Sequence, residues 1–226
     1  MVKRVSLFVA FAALLVSTPM AQSDEARRIQ DAITVLSEMM HASDRPIPRS
    51  ILQKAEGIAV FPSLFKAGLI FGGQHGRGIL SVRDPKTLAW SSPGFLTITG
   101  GSFGAQIGGQ AVDLVLVIQN RRGLEQLVSN QFKIGADASV AAGPVGRDAS
   151  ASTDVQMRAQ ILSYSRTRGI FAGLTFNGST IGQDRDANER FYGTAYRTGQ
   201  IVFEGKGGAP APVAEWHTAL QRAARP

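Results

Sequence analysis

The stretch Val112-Asp113-Leu114-Val115-Leu116-Val117-Ile118 decides how this chain is read. It is apolar almost throughout, rich in β-branched residues and too short for a typical buried helix. A strand with one wet face alternates apolar and polar residues, so a continuous run predicts a central strand buried on both faces. Outward from it lie further β-prone runs at Ile58–Phe61, Gly68–Phe71, Gly78–Val82, Phe95–Thr99, Phe132–Ala138 and Gln160–Ser165. Clusters of Gly, Pro, Asp and Ser separate them, a pattern of antiparallel strands. Asn177-Gly178, between Ile170–Phe176 and Ser179–Gln183, predicts a hairpin with a type I′ turn. Gln200–Glu204 reads as another strand. Glycines crowd Gly72–Gly78 and Gly100–Gly109 more densely than turns require, which predicts a curved sheet whose strands are closely approached by neighbours.

Helical periodicity frames this sheet. Ala26, Ile29, Ile33, Leu36 and Met40 recur at spacings of three and four, predicting an amphipathic helix over Asp24–His41. Ser23 is its expected N-cap, and Asp24 and Glu25 suit the positive end of the helix dipole. Its polar face carries Asp24, Glu25, Asp31 and Glu38 against Arg27 and Arg28, a net acidic set. A helix that lies on anionic lipid needs a basic polar face, so this one is expected to pack on the domain. Short helices are expected from Pro48 to Ala55, from Gly123 to Ser129 and from Asp184 to Phe191. Gly205–Pro212 reads as a linker, and Val213–Ala224 as a terminal helix. The fold class that follows is α+β: N-terminal helices on a curved, Gly-rich antiparallel sheet, barrel- or sandwich-like.

The first residues predict export. Lys3 and Arg4 precede an apolar run from Val5 to Val16, and Ser17-Thr18-Pro19 then leads to the small residue Ala21. That is the arrangement of a secretory signal peptide over residues 1–21, with an apolar core too short to span a bilayer. Residues 22–205 are expected to form one domain and 206–226 a linker with a helix or tail. The chain has no cysteine, which excludes disulfides, thiol nucleophiles, thiolate metal sites and a lipid-bearing cysteine. Hydrophobic residues make up 44% and charged residues 18%, enough to build a core. The net charge of +7 is concentrated, for Arg45, Arg49, Lys54, Lys66, Arg77 and Arg83 face only Glu56 within one segment. Such an excess attracts phosphate-bearing surfaces; for an exported protein nucleic acid is not the expected one.

Catalytic and metal signatures are missing from the sequence. His41, His75 and His217 are scattered, and neither H-E-x-x-H nor G-x-S-x-G occurs. Gly199–Lys206 has the wrong spacing for a phosphate loop. Asp184, Asp186 and Glu189 interleave with Arg185 and Arg190 and read as a salt-bridged surface. Ala142-Gly143-Pro144-Val145-Gly146-Arg147 is a turn-rich loop whose amides, with Arg147, suit an anion.

Several strings, in order, resemble one family. They are Lys54-Ala55-Glu56-Gly57-Ile58-Ala59-Val60, Lys66-Ala67-Gly68, Trp90 with Ser92-Pro93, and the long run Gly135–Arg147; then come Tyr164-Ser165, Gly169-Ile170-Phe171-Ala172-Gly173, and Asn188 with Phe191-Tyr192-Gly193. Together they resemble the SYLF domain, also called the yeast-type actin-binding domain, over about Met39–Gly205. The resemblance implies binding without turnover. Eukaryotic members bind phosphoinositide-containing membranes and some bind actin filaments, whereas bacterial members are typically exported. The expectation is therefore a periplasmic or secreted, cofactor-free, non-enzymatic protein that recognises anionic lipid headgroups through Lys54, Lys66, Arg77, Arg83 and Arg147. The alternative is a module that assembles envelope protein partners. Actin is not an expected partner if the source is bacterial.

Overall fold

A computed structural model describes residues 23–43, 46–68, 71–103, 108–129, 131–134, 139–144, 158–167, 170–171 and 178–225. The run that opened the reading becomes β4 (Gly108–Ile118). It pairs antiparallel with β1 (Gly57–Gly68) on one edge and β7 (Ile161–Thr167) on the other. Val115 and Val117 face one core and Leu114, Leu116 and Ile118 a second, all of them without solvent exposure. The continuous apolar pattern is thus required by cover on both faces.

β2 (Phe71–Val82) pairs with β1, β3 (Gly94–Phe103) with β2, and β9 (Thr180–Gln183) with β3. With β5 (Gln131–Lys133) and β6 (Val140–Ala142) the order is β5-β9-β3-β2-β1-β4-β7-β6, and β8 (Ile170–Phe171) adds to β7. The sheet curls into a half-barrel. One source of the curl is a bulge in β1, where the register shifts between Phe61 and Leu64 against β4 and between Val60 and Phe65 against β2. Pro62 cannot donate to a ladder, and Ser63 takes a φ of 50°. Asp113 of β4 accepts the Ser63 amide at 2.9 Å and holds the bulge. Close approach also explains a glycine of β2: a Cβ on Gly78 would lie 2.5 Å from the Val60 carbonyl oxygen and from the Phe61 ring.

Six helices are described. α1 (Asp24–Met40) and α2 (Arg49–Gln53) cover the first core, together with α6 (Ala211–Ala223). Ser23 caps α1 by accepting the Ala26 amide at 3.1 Å, and Ile29, Ala32, Leu36 and Met39 are buried, so the helix packs on the domain as its charge predicts. The C-terminal segment docks: Val213, Trp216, Leu220 and Ala223 are fully buried, and Trp216 Nε1 donates to Ser81 Oγ of β2 at 2.8 Å. α3 (Arg121–Leu127) and α5 (Thr198–Glu204) close the second core, and α4 (Arg185–Tyr192) abuts β3.

Three expectations are corrected. Gln200–Glu204 is helical, not a strand: Gln200 Oε1 accepts the Arg197 amide at 3.0 Å, Gln183 Oε1 accepts the Thr198 amide at 3.0 Å, and Gly205 ends the helix at φ 69°. The strand after Asn177-Gly178 is not half of a simple hairpin. Both edges of β9 are taken, by β3 and β5, while β8 pairs with β7. Gly178 does have the positive φ the pair suggests, 83°; Asn177 and most of the first expected arm lie outside the described residues. Finally, β6 and β7 run parallel in an otherwise antiparallel sheet. The runs at Gly68–Phe71 and Gly78–Val82 belong to the ends of longer strands, and beyond Ile134 the Phe132–Ala138 run is not described.

Candidate functional site

Arg83 directly follows β2 and organises one pole of the molecule. Its Nη1 donates to the Gln53 carbonyl of α2 at 2.7 Å, its Nε to the Leu88 carbonyl at 3.4 Å, and its guanidinium lies 5.9 Å from the centre of the Trp90 ring. Gln53 Nε2 in turn donates to the Arg225 carbonyl at 2.9 Å, joining α2 to the end of α6. The β2–β3 connection is built around Asp84. Its Oδ1 accepts the Lys86 amide at 2.9 Å, the Thr87 amide at 2.7 Å and the Thr87 hydroxyl at 3.0 Å. These bonds, first the Thr87 amide, hold the Asp84 carboxyl below its ordinary range. The turn places Leu88 at φ 59° with 56% of its surface exposed. A left-handed backbone is uncommon for leucine, and here the fold uses it to hold an apolar side chain in solvent. Through the contacts of Arg83 and Gln53, exposed Lys54, next to Gln53, and exposed Arg225 belong to the same pole as Lys86 and half-buried Arg83, together with Asp84 and Glu56, whose carbonyl accepts the Arg83 amide at 2.8 Å.

The middle of β2 is different. The β1 bulge, Phe65, His75 and Arg77 face the first turns of α1 across a cavity of about 370 Å³, lined also by Asp24, Arg27, Arg28 and Asp31. Asp24 is taken by Arg27 at 2.6 Å. Two ion pairs then clasp α1 to α4: Arg28 Nη1 meets Asp184 Oδ2 at 2.8 Å, and Glu25 accepts from Arg190 Nε at 2.8 Å. Both Glu25 and Arg28 are buried, and Arg28 sits 5.1 Å from the Phe95 ring centre. Burial outweighs Asp184 and holds the Arg28 guanidinium below its usual range. Beneath the clasp, Asn188 Oδ1 accepts the Phe95 amide at 2.9 Å and its Nδ2 donates to Thr198 Oγ1 at 3.3 Å. That hydroxyl returns to the Phe95 carbonyl at 3.1 Å. Tyr192 donates to the Pro93 carbonyl at 2.6 Å, and burial raises its pKa.

The candidate residues therefore divide. Lys54 and Arg83 share the first pole, with Lys54 exposed and Arg83 partly engaged by backbone carbonyls. Arg77 is exposed at the cavity, about 20 Å along β2 from Arg83 at the ordinary rise of a strand. Lys66 is placed by its backbone, between Gln74 of β2 and Gln110 of β4. Arg147 lies outside the described residues, as does the loop beyond Pro144. Lys86 and Leu88 escaped the sequence reading; the signal for them was Asp84-Pro85-Lys86-Thr87, an Asx-type turn. Asp184 and Arg190 are salt-bridged, as their interleaving predicts, but to α1 instead of to each other. Among the described residues no group of His, Asp or Glu is placed to hold a metal ion, and no helix is long and apolar enough to cross a membrane.

A helix-clasped half-barrel with a cationic, apolar-tipped pole has the surface of a binding domain. Residues 99–223 match the family described as Ysc84, Las17-binding protein actin regulator. This chain belongs to that family, the SYLF domain proteins. It is 31% identical to LAS seventeen-binding protein 3 of Saccharomyces cerevisiae over 175 residues, 76% of this chain and 38% of the relative. It is also 31% identical to SH3 domain-containing YSC84-like protein 1 of Xenopus laevis over 174 residues, 76% of this chain and 51% of the relative. Against the human protein of that name the identity is 29% over 197 residues, 86% of this chain and 56% of the relative. The chain thus spans between about a third and just over half of these relatives' lengths. The yeast relative's name describes binding, and the family description adds regulation.

Proposed function

We propose that this protein is exported and binds anionic phospholipid surfaces without catalysis, through the pole formed by Lys54, Arg83, Lys86 and Arg225 around Leu88. The observation that carries the reading is Leu88 itself, 56% exposed at φ 59° in a turn that also carries Lys86 and whose Leu88 carbonyl accepts from Arg83. Each basic residue near an anionic membrane contributes roughly 1 kcal/mol, and an inserted leucine adds residence once the charges have brought the surface close. The Lys3-Arg4 start, the apolar run Val5–Val16 and Ala21 support export. Co-sedimentation of residues 22–226 with vesicles tests the reading. Binding should require anionic lipid, fall as salt rises and be lost in Lys86→Glu and Leu88→Asp. Indifference to vesicle charge would refute the mechanism.

The relatives' names favour a second reading, a protein partner recognised by the same pole. It predicts no vesicle binding at all, together with capture of an envelope protein that Lys86→Glu abolishes.

A further inference from the structure

The cavity beside the middle of β2 contains an unfinished electrostatic arrangement. Arg28 is 6% exposed, and its Nη1 is satisfied by Asp184, yet its Nη2 is buried with no hydrogen-bond partner. Guanidinium donors are costly to leave unmatched away from water. Arg77 lines the same cavity and makes no ion pair among the described residues. It is close enough that its like charge, after burial, contributes to lowering the Arg28 pKa. Two cations from different elements thus line one cavity, where Arg28 is matched by Asp184 through Nη1 alone and Arg77 has no ion-pair partner among the described residues. Beside them Phe65 exposes 55% of its surface, an apolar platform held out by the β1 bulge. The lining carboxylates are Asp24, already neutralised by Arg27, and Asp31, which is exposed on the α1 side.

We propose that this cavity binds a phosphoryl group carried by a small organic molecule, with the phosphoryl oxygens between Arg28 and Arg77 and the organic part over Phe65. A guanidinium presents a fork of donors that suits phosphoryl oxygens, and two such forks suit the several acceptors of one phosphate. At about 370 Å³ the cavity has room for more than the phosphate itself. The site is separate from the pole around Leu88, so neither proposal depends on the other. Both free phosphate esters and phospholipid headgroups carry this chemistry.

Calorimetric titration of the full-length protein tests the proposal, with sn-glycerol 3-phosphate and monomeric dihexanoyl phosphatidate as probes and glycerol as the neutral control. At least one phosphate probe should bind saturably and glycerol should not. Arg77→Gln removes an exposed side chain and should leave the fold intact while weakening binding roughly tenfold or more, the usual worth of charged hydrogen bonds. Asp31→Asn should act with the opposite sign and tighten binding, because it removes a like charge from the anion's surroundings. Arg122→Gln, at an exposed position of α3 that does not line the cavity, should change nothing here. Equal binding of the two probes identifies a free phosphate ester as the ligand; preference for phosphatidate, lost in Phe65→Ser, identifies a lipid headgroup. Absence of binding by both probes, or binding unaffected by Arg77→Gln, or weakened by Asp31→Asn, would overturn the assignment.

Discussion

Neutralising Asp184 should damage this protein far more than removing the arginine it pairs with. In Asp184→Asn the side-chain oxygen that accepts the Ala187 amide at 3.1 Å is kept, since asparagine caps helices as well as aspartate. What is lost is the partner of Arg28, a guanidinium only 6% exposed. An uncompensated buried charge costs about 3 kcal/mol or more. In Arg28→Met the charge itself goes, and Asp184, whose side chain is 13% exposed, keeps its cap and some water. That change should cost only about 1 kcal/mol. With both charges replaced, the double variant should also cost about 1 kcal/mol, so the two substitutions couple by about 3 kcal/mol. The assay is urea unfolding followed by the fluorescence of Trp90 and Trp216, both buried. In a domain of this size the aspartate change alone should lower Tm by roughly 6–12 °C. Additive costs, or an Asp184→Asn variant within about 1 kcal/mol of the parent, would refute the idea that the pair clasps α1 to α4.

Asn188→Ala should cost about 2–3 kcal/mol and abolish the slow hydrogen exchange of the Phe95 amide, which loses its Asn188 acceptor in a buried setting. Gly143→Ala would set a Cβ 2.1 Å from the Tyr164 ring, which is 98% removed from solvent; overpacking of this kind costs about 1–3 kcal/mol and should appear as a lowered urea midpoint. The Asp84 carboxyl, held by the Thr87 and Lys86 amides, should titrate by carbon-detected NMR below the ordinary aspartate value of about 3.9. Because its folded pKa is depressed, its contribution to stability is present above that ordinary value and is lost as pH falls through the lower, folded one.

How much of this was legible depends on the range over which the deciding contacts act. β4 could be read from Val112–Ile118 alone because burial on both faces is written into a single run. α1 could be read with its Ser23 cap because both periodicity and capping are local. α5 could not, for Ile201-Val202-Phe203 is a β-prone string whose helical state is anchored by Gln183 and Phe95, distant in sequence. The same holds for β9, where a good local turn signal coexists with strand partners at Leu96–Thr99 and Gln131–Lys133. The basic segment was visible as composition, but its division between the middle of β2 and the turn that follows it depends on strand length, which short β-prone runs underestimated.

The charge pattern of α1 shows how a correct inference can rest on an incomplete picture. The balance of Asp24, Glu25, Asp31 and Glu38 against Arg27 and Arg28 argued that this helix packs on the domain. The structure supplies a stronger reason: Glu25 and Arg28 are not on a free polar face at all, because Arg190 and Asp184, more than 150 residues away, hold them. The helix is thereby fixed over the core, and the cationic surface that remains available sits elsewhere, on turns and helix ends where side chains have no packing duty. Asn188 and Phe191-Tyr192-Gly193, among the strings that suggested the family, lie under this clasp. Their hydrogen bonds and aromatic contacts run to Phe95, Thr198 and Pro93, so they are fold-forming residues. The strings by which the family is recognised and the residues by which this chain would meet a partner are therefore largely different sets. Function within such a domain can diverge at exposed positions such as Lys86, Leu88 and Arg77 while the clasp is retained.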